Sequence, residues 1–286
     1  MTDSVRFEFG ENWRRFLASV DEPRIEAAKR SLCEMLGEDS LAGKSFLDVG
    51  CGSGLFSLAA RQLGASVRSF DLDEQSVACA NELKRRFCPN DPDWFVEKGS
   101  ASDPAYLAAL GKFDIVYCWG VLHHTGDLWG SLEGVCGAVR EGGRLCVAIY
   151  NDQGYVSRGW RLIKQTYHRL PRALRPCLVL AVAGWRTAAR LVMTLAAVAL
   201  RLATLRNPFV PIGNWIREVR QGRSRGMHWW RDLVDWVGGY PFEVAKPEAV
   251  FNFCRQRGFS LAYLTTQGGG HGCNEFVFVK QGAIGR

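Results

Sequence analysis

The stretch SFLDVGCGSGLFSLAA, Ser45 to Ala60, sets an acid, Asp48, two residues ahead of three glycines at alternate positions, Gly50, Gly52 and Gly54. Glycine lets a chain adopt unusual φ angles and leaves no Cβ in the way, so the pattern predicts a loop built for close backbone approach. An apolar run precedes it and a helical pattern follows, so the loop opens a helix whose first N–H groups are uncommitted. The spacing is G-x-G-x-G, and Leu55 stands where a dinucleotide fingerprint has its third glycine. An acid inside the loop would repel a pyrophosphate and suits a ligand carrying an ammonium group. Asp71 follows at the end of the next apolar run, at the distance from the glycines where a carboxylate accepts hydrogen bonds from ribose hydroxyls. Further along, His123 and His124 are adjacent in a loop, where a ring titrating near neutral pH suits general-base work or simply bonds the loop backbone. The glycine-rich QGGGHGCNEF holds His271 and Asn274, either facing a ligand or forming a turn. IYNDQG places Tyr150 and Asn151 where they could line a substrate pocket, or form a turn or cap.

These residues need a sheet to position them. Short apolar runs at 45–49, 66–70, 94–97, 113–118 and 144–150 alternate with segments of helical spacing. This predicts an α/β fold, a doubly wound Rossmann-like parallel sheet covered on both faces by helices. The alternation stops after Tyr150 and resumes with a helix at 246–259 and strands at 260–266 and 274–280. The intervening 151–240 read as an inserted helical subdomain, rich in Arg and Trp. The expected organisation is an N-terminal helical lid over 1–40, a ligand-binding domain from 41–150 and 241–286, and the insertion over 151–240.

D-V-G-C-G-S-G followed by Asp71 resembles motif I and the ribose acid of class I S-adenosylmethionine-dependent methyltransferases. E-K-G-S-A-S-D (97–103), FDIVYCWGVLHHTGD (113–127) and EGGRLCVAIY are similar to later motifs of that family, in the same order. Among its branches the chain looks like the small-molecule methyltransferases, including those of ubiquinone biosynthesis. The resemblance implies a seven-stranded sheet with an antiparallel last strand, and S-adenosyl-L-methionine as cofactor. By that resemblance Gly50, Gly52 and Gly54 line its methionine part and ribose, and Asp48 accepts from its amino group, directly or through water. Asp71 holds the ribose, Leu72 packs on the adenine, Ser100 and Ala101 meet the adenine edge, and Trp119 and Gly120 lie beside the sulfonium. Phe9 and Asn12, in the aromatic FEFGENWRRFL, read as part of a lid over the cofactor or as a surface helix. Methyl transfer is an in-line displacement at an activated methyl; it requires a held nucleophile and a proton acceptor, and no metal.

Net charge is +7, with the arginine excess between Arg158 and Arg231. Residues 171–209 are apolar but interrupted by Arg186, Arg190 and Arg201, so their charge-free runs fall short of the ~20 residues that span a bilayer. Three readings stand for this amphipathic helix: a cap or homodimer surface, a peripheral membrane contact, or a grip on an acidic substrate. The cluster ending the insertion, with His228, Trp229 and Tyr240, reads as either helix core or part of a substrate pocket. The ten cysteines show no C-x-x-C pair and read as reduced thiols. MTDSVRFEFGENW has no apolar leader pattern, which together with the thiols predicts a cytoplasmic location, peripheral to the inner face of a membrane if the helix docks there. The expected function is methyl transfer to a small or lipid-linked acceptor at oxygen. The rival readings are a tRNA or other nucleic-acid methyltransferase, which lacks support from any N/D-P-P-Y/F motif or appended binding module, and a non-catalytic cofactor-binding assembly protein.

Overall fold

The computed structural model describes residues 20–224, 229–268 and 272–282, and of 218–224, 229–232 and 235 the backbone alone. The chain groups into two compact units, residues 1–161 with 240–286, and Leu162–Gly239.

The first unit runs α1 (Glu22–Leu36), β1 (Ser45–Val49), α2 (Leu55–Gln62), β2 (Ser66–Asp71), α3 (Glu74–Phe87), β3 (Trp94–Lys98), α4 (Pro104–Leu110), β4 (Phe113–Trp119), α5 (Leu128–Gly137), β5 (Val139–Tyr150) and the start of α6 (Tyr155–Arg169). The seven-stranded sheet has the order β3-β2-β1-β4-β5-β7-β6, completed after the insertion by β6 (Phe259–Thr265) and β7 (Cys273–Lys280). β7 runs antiparallel to both its neighbours, and the other pairs are parallel. This is the doubly wound Rossmann-like sheet with an antiparallel last strand that the sequence predicts.

Side chains alternate across the sheet. Phe46, Ile115, Tyr117 and Cys146 face the layer holding α1, α2 and α3. Leu47, Val49, Val116, Cys118 and Val147 face α4, α5 and α10 (Pro247–Arg255). The helices start where an aspartate offers its carboxylate to uncommitted N–H groups. Asp21, Asp73, Asp103 and Asp127 cap α1, α3, α4 and α5 in this way. Cys51, Cys79, Cys118, Cys136, Cys146 and Cys254 are buried as free thiols.

The second unit contains the rest of α6, α7 (Arg175–Ala203), α8 (Val210–Ser224) and α9 (Trp229–Gly238). Lys164 is 1% exposed; its ammonium donates to the Trp236 carbonyl and lies 4.7 Å from the Trp236 ring centre. One turn on, His168 Nε2 donates to the Gly238 carbonyl at 2.6 Å. Two side chains of α6 thus close the C-terminus of α9, where carbonyls lack partners within the helix. Burial lowers the Lys164 pKa to about 7. Residues 151–161, expected with the insertion, group with the sheet: Asn151 pairs with Ala245, and the Ala245 N–H donates to the Tyr150 carbonyl at 3.0 Å.

Candidate functional site

The loop after β1 takes φ of 72° at Gly50, 54° at Gly52 and 80° at Gly54, a region L-residues avoid. A Cβ at Gly50 would stand 2.6 Å from both Val121 methyls, and one at Gly54 would stand 2.9 Å from the Ala80 Cβ. At these two positions the missing side chain admits the protein's own packing. Val121 buttresses the loop from the β4 side and Ala80 from α3. This refines the expectation that all three glycines clear space for a ligand. Gly120 behaves differently: its φ is 78° and nothing lies within 4 Å of a Cβ built there. It borders open space at the C-terminal end of β4, where ligands settle in sheets of this kind.

Asp71 ends β2 half-buried. One carboxylate oxygen accepts from the Gly52 N–H and the other from the Asp73 N–H, each at 2.9 Å. Burial raises its pKa, and these backbone donors oppose the rise. Asp73, not Asp71, caps α3. Asp71 keeps lone pairs for a further donor, because each carboxylate oxygen can accept more than one bond. Leu72 beside it is 43% exposed, an apolar surface left uncovered at the loop mouth.

Asp48 is 3% exposed and does not open onto the loop mouth. Its carboxylate accepts from Ser57 Oγ at 2.5 Å; Ser57 Oγ lies 2.7 Å from Ser69 Oγ, which accepts from Trp94 Nε1 at 2.9 Å. Of the two expected holds on an amino group, direct or through water, the direct one is set aside: the carboxylate belongs to a buried polar chain joining α2, β1, β2 and β3. Burial, helped by the charge of Asp71 and opposed by the Ser57 bond, raises the Asp48 pKa from 3.8 to about 7. Folding thus favours the protonated acid. The stability it contributes is complete below about pH 4 and is lost as pH rises through about 7. Asp48→Asn keeps an acceptor for Ser57 without the ionisation. Chemical denaturation across this range is expected to show a variant less pH-dependent than the wild type. Above pH 7 its relative gain is on the order of 4 kcal/mol.

Beside Asp48 in register is Tyr117, whose ring stacks on Trp119 at 5.4 Å and 5°. The Tyr117 hydroxyl is buried without a hydrogen-bond partner among the described residues. Past Gly120, a short 3-10 turn, Leu122–His124, carries the two histidines, which take opposite tautomers. His123 is 1% exposed, accepts from the Tyr150 N–H at Nδ1 (3.3 Å) and stacks on the Tyr150 ring at 3.7 Å. This buried ring supports the loop, which corrects the catalytic role expected for it. His124 is half-buried, with Nδ1 at 2.7 Å from the Pro241 carbonyl oxygen. A carbonyl only accepts, so Nδ1 carries the hydrogen and Nε2 of the neutral ring does not.

Other expectations meet different surroundings. Asn151 and Asn274 are buried and bonded to each other (Nδ2 to Oδ1, 3.1 Å). Asn151 also donates to the Gly268 carbonyl, and Asn274 accepts from the Gln267 N–H. They brace the β6–β7 turn against β5, so their expected substrate contact is corrected to a structural one. Ser100 Oγ accepts from the Ser102 N–H within its own turn, and Ala101 is buried. Phe9, Asn12, His228 and His271 lie outside the described residues; of Trp229 only the backbone, opening α9, is described. Sequence reasoning missed Val121, Ser57 and Tyr117. It also missed Glu243, whose N–H donates to the His123 carbonyl at 2.9 Å, and whose carboxyl burial pushes its pKa up.

The Asp71 carboxylate, an aromatic pair and open space at Gly120, with no lysine or arginine among them, fit a positively charged nucleoside better than a pyrophosphate. Residues 47–145 match the family model described as a methyltransferase domain. This stretch is a class I S-adenosylmethionine-dependent methyltransferase domain. A ubiquinone biosynthesis O-methyltransferase of Cupriavidus pinatubonensis is 32% identical over 117 residues, 40% of this chain and 45% of that protein. One from Idiomarina loihiensis is 34% identical over 116 residues, again 40% and 45%. The chain thus spans less than half the length of these curated relatives. The fold is that of a magnesium protoporphyrin IX methyltransferase from Synechocystis PCC 6803, solved with bound SAH (TM-score 0.51, 14% identity, 90% of this chain and 83% of that one). It is also that of an O-methyltransferase family protein from Burkholderia thailandensis (TM-score 0.52, 10% identity, 92% and 56%). The matched stretch ends before the histidine-supporting Tyr150 and the returning segment at Pro241.

Proposed function

We propose that the chain is an S-adenosylmethionine-dependent methyltransferase that methylates a small or lipophilic molecule at oxygen. The observation that carries this reading is the carboxylate of Asp71, fixed by the Gly52 and Asp73 N–H groups beside the exposed Leu72. Asp71 takes the ribose hydroxyls, Leu72 the adenine face and the Ala101 backbone its edge. The Gly120 backbone and the Trp119 ring flank the sulfonium end, the ring through its negative face. When bound, S-adenosylmethionine supplies an activated methyl on a sulfonium sulfur. His124, oriented by Pro241, takes the acceptor hydroxyl's proton at Nε2, and Tyr150 and Tyr240 line the acceptor side. The relatives of ubiquinone biosynthesis support oxygen as the atom methylated.

Calorimetric titration with S-adenosylhomocysteine, then transfer of labelled methyl to phenols, carboxylates and tRNA, tests the assignment. Binding with transfer to a phenol or carboxylate is the expected outcome. Absence of binding, or transfer confined to tRNA, would overturn it. His124→Gln is expected to lower kcat by about 10²–10⁴-fold with S-adenosylhomocysteine affinity unchanged. An unaltered kcat would remove the base from His124.

A further inference from the structure

The second unit presents an apolar helix face the wrong way round for water. In α7, Val179, Val182 and Thr194 are buried, and Arg175, Arg190 and Arg201 are half-buried in the same packed row. The opposite row, Leu180, Gly184, Ala188, Leu191, Leu195 and Leu202, recurs at three- and four-residue spacing and is exposed, its leucines by 45% to 58%. Neighbouring Trp185 and Val192 widen it, and Ile212 and Ile216 of α8 are also exposed. A helix of a water-facing surface shows the reverse, charge outward and leucine inward. The exposed hydroxyl of Thr187 donates back to the Ala183 carbonyl at 2.8 Å, so even this polar group needs no water.

Along α7 and the first eight residues of α8 the charges have one sign. From 162 to 217 the chain holds eight arginines and one lysine, and no aspartate or glutamate. Arg172, Arg186, Arg206 and Arg217 are exposed.

We infer that α7 and the start of α8 form a docking surface for an anionic lipid bilayer. The helix lies in the plane of the interface, with its leucine row among the acyl chains and the exposed Arg172, Arg206 and Arg217, outside α7, at the phosphates. By length and composition α7 could cross a bilayer. Arg186 and Arg190 would then sit mid-membrane, and its packed row already belongs to the second unit's own core. A second copy of the chain fits less well: a two-fold interface sets a patch against itself, and this patch has no acid to receive its arginines. The surface is independent of the transfer reaction proposed above.

The purified full chain is tested by flotation with equimolar phosphatidylglycerol–phosphatidylcholine vesicles and with pure phosphatidylcholine vesicles. Binding is expected to the anionic vesicles, weakened by salt, and falling about fivefold for each of Arg172→Gln and Arg206→Gln. Leu191→Gln with Leu195→Gln, both exposed and outside the core, is expected to abolish flotation while S-adenosylhomocysteine titrates as in the wild type. That second titration separates loss of docking from loss of the fold or of the proposed activity. Failure to float with anionic vesicles overturns the inference. So does equal, salt-insensitive binding to both vesicle types. So does a dimer in sedimentation equilibrium that the leucine substitutions dissociate.

Discussion

Asp71→Ala is expected to weaken S-adenosylhomocysteine binding by at least about a hundredfold, with little left to measure by calorimetry. Two losses combine. The ribose loses acceptors for its hydroxyls, and a hydrogen bond to a charged group contributes about 1.5–3 kcal/mol. The Gly52 and Asp73 N–H groups lose the carboxylate that fixes them at 2.9 Å. The glycine loop then loses its tether to β2. Asp71→Asn separates the two. Its amide retains one acceptor oxygen but turns an N–H₂ group toward one backbone donor, so affinity should fall nearly as far while Tm falls less than for alanine. Wild-type affinity in both variants would place the nucleoside elsewhere.

Gly50→Ala is expected to cost about 2–5 kcal/mol of folding stability, a fall in Tm on the order of 10 °C. Part is the strain of an L-residue at φ 72°, and part is the 2.6 Å approach to both methyls of Val121. Val121 cannot retreat alone, because it follows Gly120 and precedes the turn carrying His123 and His124. The double variant Gly50→Ala with Val121→Ala removes those methyls. It should recover roughly half the loss, leaving the backbone strain. Gly120→Ala meets no neighbour and should fold with only the φ penalty of about 1–2 kcal/mol, yet bind S-adenosylhomocysteine poorly. If Gly50→Ala were as stable as the wild type, the buttressing role of Val121 would be lost.

Much of the sheet is legible in the sequence because each strand is a short apolar run closed by a turn. SFLDV is β1 residue for residue, and the other strands differ mainly at their ends. β5 starts earlier than its apolar run, at Val139, because an irregularity in its pairing with β4 carries it through Glu141 and Gly142. The glycine loop and Asp71 are also legible, since their signal is local. The surroundings of single side chains are not. Asp48 meets Ser57 and Ser69 only once β1, β2 and α2 are packed together. Asn151 and Asn274, 123 positions apart, are partners because β5 and β7 pair antiparallel. His123 and His124 are indistinguishable by type; what separates them is that His123 accepts from the Tyr150 N–H while His124 faces the Pro241 carbonyl. In α7 the sequence shows an amphipathic helix, but not that Arg190 and Arg201 stand half-buried beside Val182 and Thr194 while the leucines face out.

The chain departs from the sheet and comes back at adjoining points, Asn151 beside Ala245, and Lys164 and His168 fasten to Trp236 and Gly238 near the far end of the excursion. An excursion whose two roots touch behaves like a cassette. It can lengthen, shrink or be exchanged over generations without re-threading the strands that frame Asp71 and Gly120. Evolution can therefore change the address or clientele of such a protein while its donor-binding half stays as it is.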